Sequence, residues 1–92
     1  MVELKPGTAE DQVEAFRAAL AAVPFDRRRA FTFGRDLGLV PNTADVVMIS
    51  DFDDEDAYRD WVADEAHRRV SQELLHPIAN RITRGQIRVA AL

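Results

Sequence analysis

Cysteine is absent from this 92-residue sequence, and tryptophan and tyrosine occur once each. Each scarcity closes a class of function. Without thiols there is no disulfide framework, no thiolate nucleophile and no cysteine-based metal centre. No run approaches the roughly 20 apolar residues of a membrane span, and no basic segment leading into an apolar run marks a secretory signal. Positive charge is in deficit. The formal net charge is −4, which speaks against nucleic acid as a partner. No glycine-rich phosphate loop, dinucleotide fingerprint or Ser/His/Asp grouping is present. The expectation is a cytoplasmic protein with neither nucleic acid nor membrane as partner. Lys5 is the single lysine among 12 basic residues, and alanine and aspartate are abundant, a usage that suggests a GC-rich bacterial genome.

The chain is long enough for one domain, residues 1–92. A chain of this size buries only about 60–65 % of its unfolded surface, so a partner subunit would add to its core. "VELKPG" alternates Val2 and Leu4 with Glu3 and Lys5, as in a strand with one buried face, and Pro6-Gly7 ends it. Thr8 reads as an N-cap, with Glu10 and Asp11 in the first turn. Val13, Phe16, Ala19, Leu20 and Val23 form one apolar stripe, so a helix is expected from Thr8 to about Ala22, before Pro24. "RRRAFTFG" alternates again and reads as a strand. "GRDLGLVPNTAD" reads as a long loop, a candidate lid or rim segment in which Arg35 and Asp36 form a turn ion pair, gate a cavity mouth, or serve ordinary turn chemistry, the favoured reading.

"DVVMISDF" is nearly continuous apolar, the pattern of a strand covered on both faces. The stretch "DDEDAYRDWVADEAHRRVSQELLHPIANRI" reads as helical in two pieces. Ala57, Tyr58, Trp61 and Val62 form one stripe and Val70, Leu74, Leu75 and Ile78 another. The phase slips between them, which places a break over residues 63–66. "GQIRVAAL" reads as a last strand. The order is β-α-β-β-α-β, which fits an α+β, ferredoxin-like subunit: a four-stranded antiparallel sheet with both helical segments on one face. The other face would carry about half of Val46, Val47, Met48, Ile49 and Phe52, together with Phe31 and Phe33 if those point that way. Two copies stacked sheet to sheet would cover it as a homodimer. A small hydrophobic ligand could lie between the sheets, with Thr32, Ser50 and Arg88 as polar positions on whichever face looks inward.

Chemistry is sparser. His67 is the candidate general base, because an ordinary imidazole titrates near neutrality. Its structural alternative is a bond to a backbone group at the helix break. Phe31, Phe33, Met48, Tyr58 and Trp61 are candidate pocket walls, and equally candidates for plain core packing. A cavity with His67 pointing in would favour an enzyme, whereas a core packed shut by Phe31, Phe33 and Met48 would favour a structural protein. His76 sits at a helix end, where a cation is favourable. Spaced nine apart, the histidines do not make a metal pair. "DFDDED" lacks the glycine and distal glutamate of a calcium loop. Neither metal nor cofactor is expected.

Four segments, "LKPGT", "FTFGRDLGL", "ADVVMISDFDDEDAYRDW" and "ADEAHRRVSQELLHPI", resemble the stress-responsive A/B barrel domain, or dimeric α+β barrel, over nearly the whole chain. The resemblance implies ferredoxin-like subunits that pair sheet to sheet into a barrel. The family includes bacterial members of no assigned reaction, plant stress proteins and a plant polyketide cyclase. In that cyclase a tyrosine and a histidine, spaced as Trp61 and His67 are here, lie near the polyketide, the histidine as general base. A related family uses a similar barrel for cofactor-free oxygenation. The resemblance thus implies polyketide-type cyclisation with His67 as base. Its alternatives are a non-catalytic binding or stress protein with a filled core, or a cofactor-free monooxygenase. This chain departs from the cyclase at Trp61, since an indole N–H donates but is neither acid nor base. It also opens inside the equivalent of the family's first strand, so that strand is either short or begins upstream.

Overall fold

A computed structural model describes residues 1–89. Its elements are β1 (Val2–Leu4), α1 (Glu10–Ala22), β2 (Arg28–Arg35), β3 (Val46–Phe52), α2 (Glu55–Ala63), α3 (Glu65–Val70) and β4 (Ala79–Ile82), with a π turn, Ser71–Leu75, between α3 and β4. The four strands form one sheet in the order β2-β3-β1-β4, every neighbouring pair antiparallel. This is the expected ferredoxin-like arrangement.

Local chemistry explains most boundaries. Gly7 turns the chain out of β1 at φ +81, a conformation open to glycine because it has no Cβ. α1 begins one residue later than Thr8 suggested. Ala9 is its N-cap, and Gln12 returns its Oε1 to accept from the Ala9 N–H at 2.8 Å. Thr8 instead donates its hydroxyl to the Lys5 carbonyl. Asp54 caps α2 by accepting from the Ala57 N–H at 2.8 Å.

Strand register decides which side chains share a face, because directly paired residues point the same way. Phe31 lies opposite Ser50, Phe33 opposite Met48, and Val2 opposite both Val46 and Ile82. Val2, Val46, Val13, Phe16, Leu20, Trp61, Leu75 and Ile78 form the buried core, with Phe31, Phe33, Met48 and Phe52 packed against it. Phe31 and Phe33 therefore belong to the helix-covered side, and the expectation that they would furnish the bare face does not hold. Ser50 follows the same side. The uncovered face carries Thr32 opposite Ile49, Gly34 opposite Val47, Ala30 opposite Asp51, and Glu3 opposite Arg81. Its apolar centre is small, and Ile49 is 58 % exposed.

The last strand differs from the sequence expectation. β4 is "ANRI", in the stretch assigned to the end of the second helix, whereas residues 83–89 form no strand and residues 90–92 lie outside the described residues. Pro77 stops helical propagation, and the Ile78 carbonyl at once accepts from the Lys5 N–H at 2.8 Å, which commits the chain to the edge of β1. Thr83 N–H donates to the Met1 carbonyl at 2.9 Å. Beyond it the segment has no paired neighbour among the described residues, so the alternation of Ile87 and Val89 goes unused.

Candidate functional site

The second helical stretch breaks where expected, and one residue makes the break. Asp64 adopts an extended conformation (φ −62, ψ 127), ends α2 and caps α3. Its backbone N–H donates to the Trp61 carbonyl at 3.2 Å, and its carboxylate accepts from the His67 N–H at 2.9 Å. The break thus carries His67 back over Trp61. The imidazole and indole stack with centroids 4.1 Å apart and planes 18° from parallel.

The tautomer follows from the partner. His67 Nδ1 lies 2.8 Å from the Trp61 carbonyl oxygen. A carbonyl only accepts, so Nδ1 carries the proton, and in the neutral ring Nε2 holds the lone pair. Nε2 has no hydrogen-bond partner among the described residues. Burial, the largest influence, pushes the His67 pKa below its ordinary value of 6.5; the Trp61 carbonyl and Asp64 oppose the shift, and Arg28 and Arg84 reinforce it. At neutral pH the ring is uncharged, with one nitrogen free to take a proton.

Around this pair is an aromatic wall. Trp61 is 6 % exposed and meets Phe25 at 5.2 Å and Phe52 at 6.0 Å between ring centroids. Tyr58 packs edge-on against Phe52 and accepts at its hydroxyl from Gln86 at 3.0 Å. The Arg28 guanidinium lies 4.6 Å from the Trp61 ring centre and 4.7 Å from that of Phe31. Its Nη2 donates to the Leu20 carbonyl at the end of α1, and Nη1 is buried without a partner among the described residues. Arginine suits this position because its planar cation stacks on rings while its edge donates. Nothing in the sequence pattern singled out Arg28; only the closure of β2 against α1 and α2 brings it to Trp61.

The candidate residues thus fall into one neighbourhood with two parts. Trp61, His67 and Tyr58 stand with Phe52 and Arg28. Phe31 and Phe33 continue the wall into the core, where Phe33 meets Phe16 at 6.0 Å and pairs across the sheet with Met48. That interior is filled. The space lined by Val2, Leu4, Val13, Phe16, Val46, Leu75 and Ile78 admits no water-sized volume. A shallow hollow of about 50 Å³ near Met1, Thr43 and Arg81 lies away from His67.

Arg35, Asp36 and Arg88 depart from their expected places. Arg35 and Asp36 do not pair: Arg35 reaches Glu10 at 2.6 Å, and Asp36 accepts from the Gly38 N–H at 2.9 Å. Arg88 is not on a sheet face but pairs with Glu55. The acidic run of "DFDDEDAYRD" is balanced by arginines, with Arg29 on Asp53 and Arg27 on Asp60. Among the described residues no cluster of metal-ligating side chains forms, and no helix is long and apolar enough to cross a membrane.

Residues 1–84 match the family model of the stress responsive A/B barrel domain. Among solved structures, the chain is similar to a dimeric ferredoxin-like protein of unknown function from Thermobifida fusca. The two share 26 % sequence identity with a TM-score of 0.76, over 88 % of this chain and 77 % of that one. No curated protein matches.

Proposed function

This chain belongs to the family of stress-responsive A/B barrel domains, and from that and the geometry at His67 we propose that it works as a homodimer, paired through the uncovered sheet face, that binds a small hydrophobic molecule beside His67. The proposed reaction is removal of a proton from a carbon made acidic by a neighbouring carbonyl, as in polyketide-type cyclisation. The observation that carries it is the Nδ1–H bond to the Trp61 carbonyl, which is equally the backbone bond at the helix break that a purely structural role for His67 requires. That bond fixes the ring and leaves Nε2 as the basic atom, and the lowered pKa keeps that atom unprotonated at neutral pH. Nε2 would take the carbon-bound proton; the resulting imidazolium keeps its bond to the Trp61 carbonyl and gains the attraction of Asp64. Trp61 supplies a stacking surface and no proton.

The dimer is supported by Val47 and Ile49 on the uncovered face and by the dimeric state of the Thermobifida fusca protein. Replacing Ile49 by Asp would put two like charges into a two-fold interface. We expect this variant to sediment as a monomer at concentrations where the parent is a dimer; an unchanged dimer would place the interface elsewhere. For the chemistry, His67→Ala is expected to abolish turnover of a linear β-polyketo substrate while leaving the dimer intact. Full activity in that variant would remove His67 from the mechanism.

A second reading is favoured by the filled interior, where Phe31, Phe33 and Met48 pack against the core. In it the protein is a non-catalytic binding or stress protein whose barrel is a closed dimer core. Absence of both turnover and ligand binding in the parent protein would select it.

A further inference from the structure

We propose that Arg28 is a positioning residue for His67: it rests on the same Trp61 indole, carries no counter-ion, and so holds the imidazole uncharged with its Nε2 lone pair free. This rests on the reading of His67 as the base. Arg28 opens β2 as the middle one of three consecutive arginines. The outer two are neutralised, Arg27 by Asp60 and Arg29 by Asp53. Arg28 pairs with no carboxylate among the described residues. Its Nη2 donates to the Leu20 and Ala21 carbonyls at 3.2 and 3.4 Å, and Nη1 has no partner there. Burial alone shifts its own pKa, downward, and no acidic group opposes it.

An unpaired cation acts on its surroundings differently from a paired one. In an ion pair the two fields largely cancel a short way off, whereas the energy of a lone charge falls only as the inverse of distance. The Arg28 guanidinium carbon lies 4.6 Å from the Trp61 ring centre, and the imidazole centre lies 4.1 Å from it. Laid end to end, those distances put the two groups at most roughly 9 Å apart, within the Debye length of about 10 Å at 0.1 M salt. Both residues are half-buried, so solvent screens them less than it screens the surface pairs.

Protonation of His67 would set a second cation against one indole. The ring attracts either cation through its quadrupole, but the cations repel each other, and a like charge nearby disfavours the charged form. Burial is the largest influence on the imidazole and favours the neutral ring. The Trp61 carbonyl and Asp64, at the junction of α2 and α3, favour the cation; Arg28 from β2 and Arg84 from beyond β4 turn the balance back toward the neutral ring. Asp64 spends its carboxylate on the His67 backbone N–H as well. Without Arg28 the base would be protonated at a higher pH. Trp61 has no proton to trade, yet its ring is what brings the two groups together.

The test is an NMR titration of the His67 ring in the parent and two variants, with His67→Gln used to tell its signal from that of His76. Arg28→Gln keeps a donor for the Leu20 carbonyl and removes the charge; Arg28→Lys keeps both charge and donor. The His67 midpoint is expected to rise toward 6.5 in Arg28→Gln and to stay at the parent's value in Arg28→Lys. An unchanged midpoint in Arg28→Gln would overturn the proposal. An equal rise in both variants would overturn it too, since packing and not charge would then be the cause. If a variant does not fold, the parent still decides. Linkage is reciprocal, so the Arg28 Nε–H signal is expected to move at the pH where His67 titrates, and a signal flat across that range would overturn the proposal. None of these readouts needs turnover: full activity in His67→Ala would remove His67 as the base and leave the titration result standing.

Discussion

At Asp64 and His67, two residues three apart, backbone geometry and acid–base chemistry are joined. The Asp64 carboxylate holds the His67 N–H, so Asp64→Ala is expected to cost about 1 kcal/mol, the usual loss for a helix cap, and to loosen the imidazole from Trp61. Chemical denaturation measures the first effect and the His67 ring shifts the second. The lowered His67 pKa also fixes a direction with pH. Its folded value lies below 6.5, so between the two values the unfolded chain binds more protons than the folded one. Stability is full above pH 6.5 and falls as pH drops toward the folded pKa, below which this group adds no further loss. Stability curves from pH 7.5 to 5 should show that slope, and His67→Gln should flatten it. Trp61, buried against Phe25 and Phe52, carries a larger share. Trp61→Ala is expected to lose about 3–5 kcal/mol, read as a lower urea midpoint.

At the level of elements, what the sequence revealed depended on whether the signal was local. The α1 stripe, the alternation of β2 and the phase slip after Trp61 are properties of a few successive residues, and each is found within a residue or so of its expected place. β4 was misplaced because "ANRI" carries little strand signal of its own; it is a strand because Lys5 and Val2 offer it an edge. "GQIRV" has the better pattern and no strand partner among the described residues. The facing of Phe31 and Phe33 was equally illegible, since an alternating strand shows two faces without saying which one meets the helices. His67 stands out as a candidate in the sequence because histidine is rare here and the break is visible. Arg28 was missed because its role depends on the closing of three elements, and in sequence it is one of three consecutive arginines.

For the whole molecule, the helices cover one side of the sheet and leave the other to solvent or a second subunit. The uncovered face is mixed, with Val47 and Ile49 amid Thr32, Asp51, Glu3 and Arg81. Such a face suits a dimer whose strength responds to salt, because charged groups at its margin are screened. The ion pairs elsewhere are exposed, including Arg27–Asp60 and Arg17–Glu14, and contribute little individually. Raising ionic strength is therefore expected to move the dimer constant more than the subunit melting temperature, which sedimentation and calorimetry would separate.

The π turn at Ser71–Leu75 has a consequence for chain length. There the His76 N–H reaches back five residues to the Ser71 carbonyl, at 2.9 Å. Such a turn accommodates one residue more than an α-helix needs while its flanks keep their facing. Gln72 is exposed, and the chain could lose it: the turn would close as ordinary helix, and Leu75 and Ile78 would still face the core. No such slack exists between Asp64 and His67, where losing Glu65 or Ala66 would turn His67 away from Trp61. This subunit can shorten on one side of its histidine and not on the other.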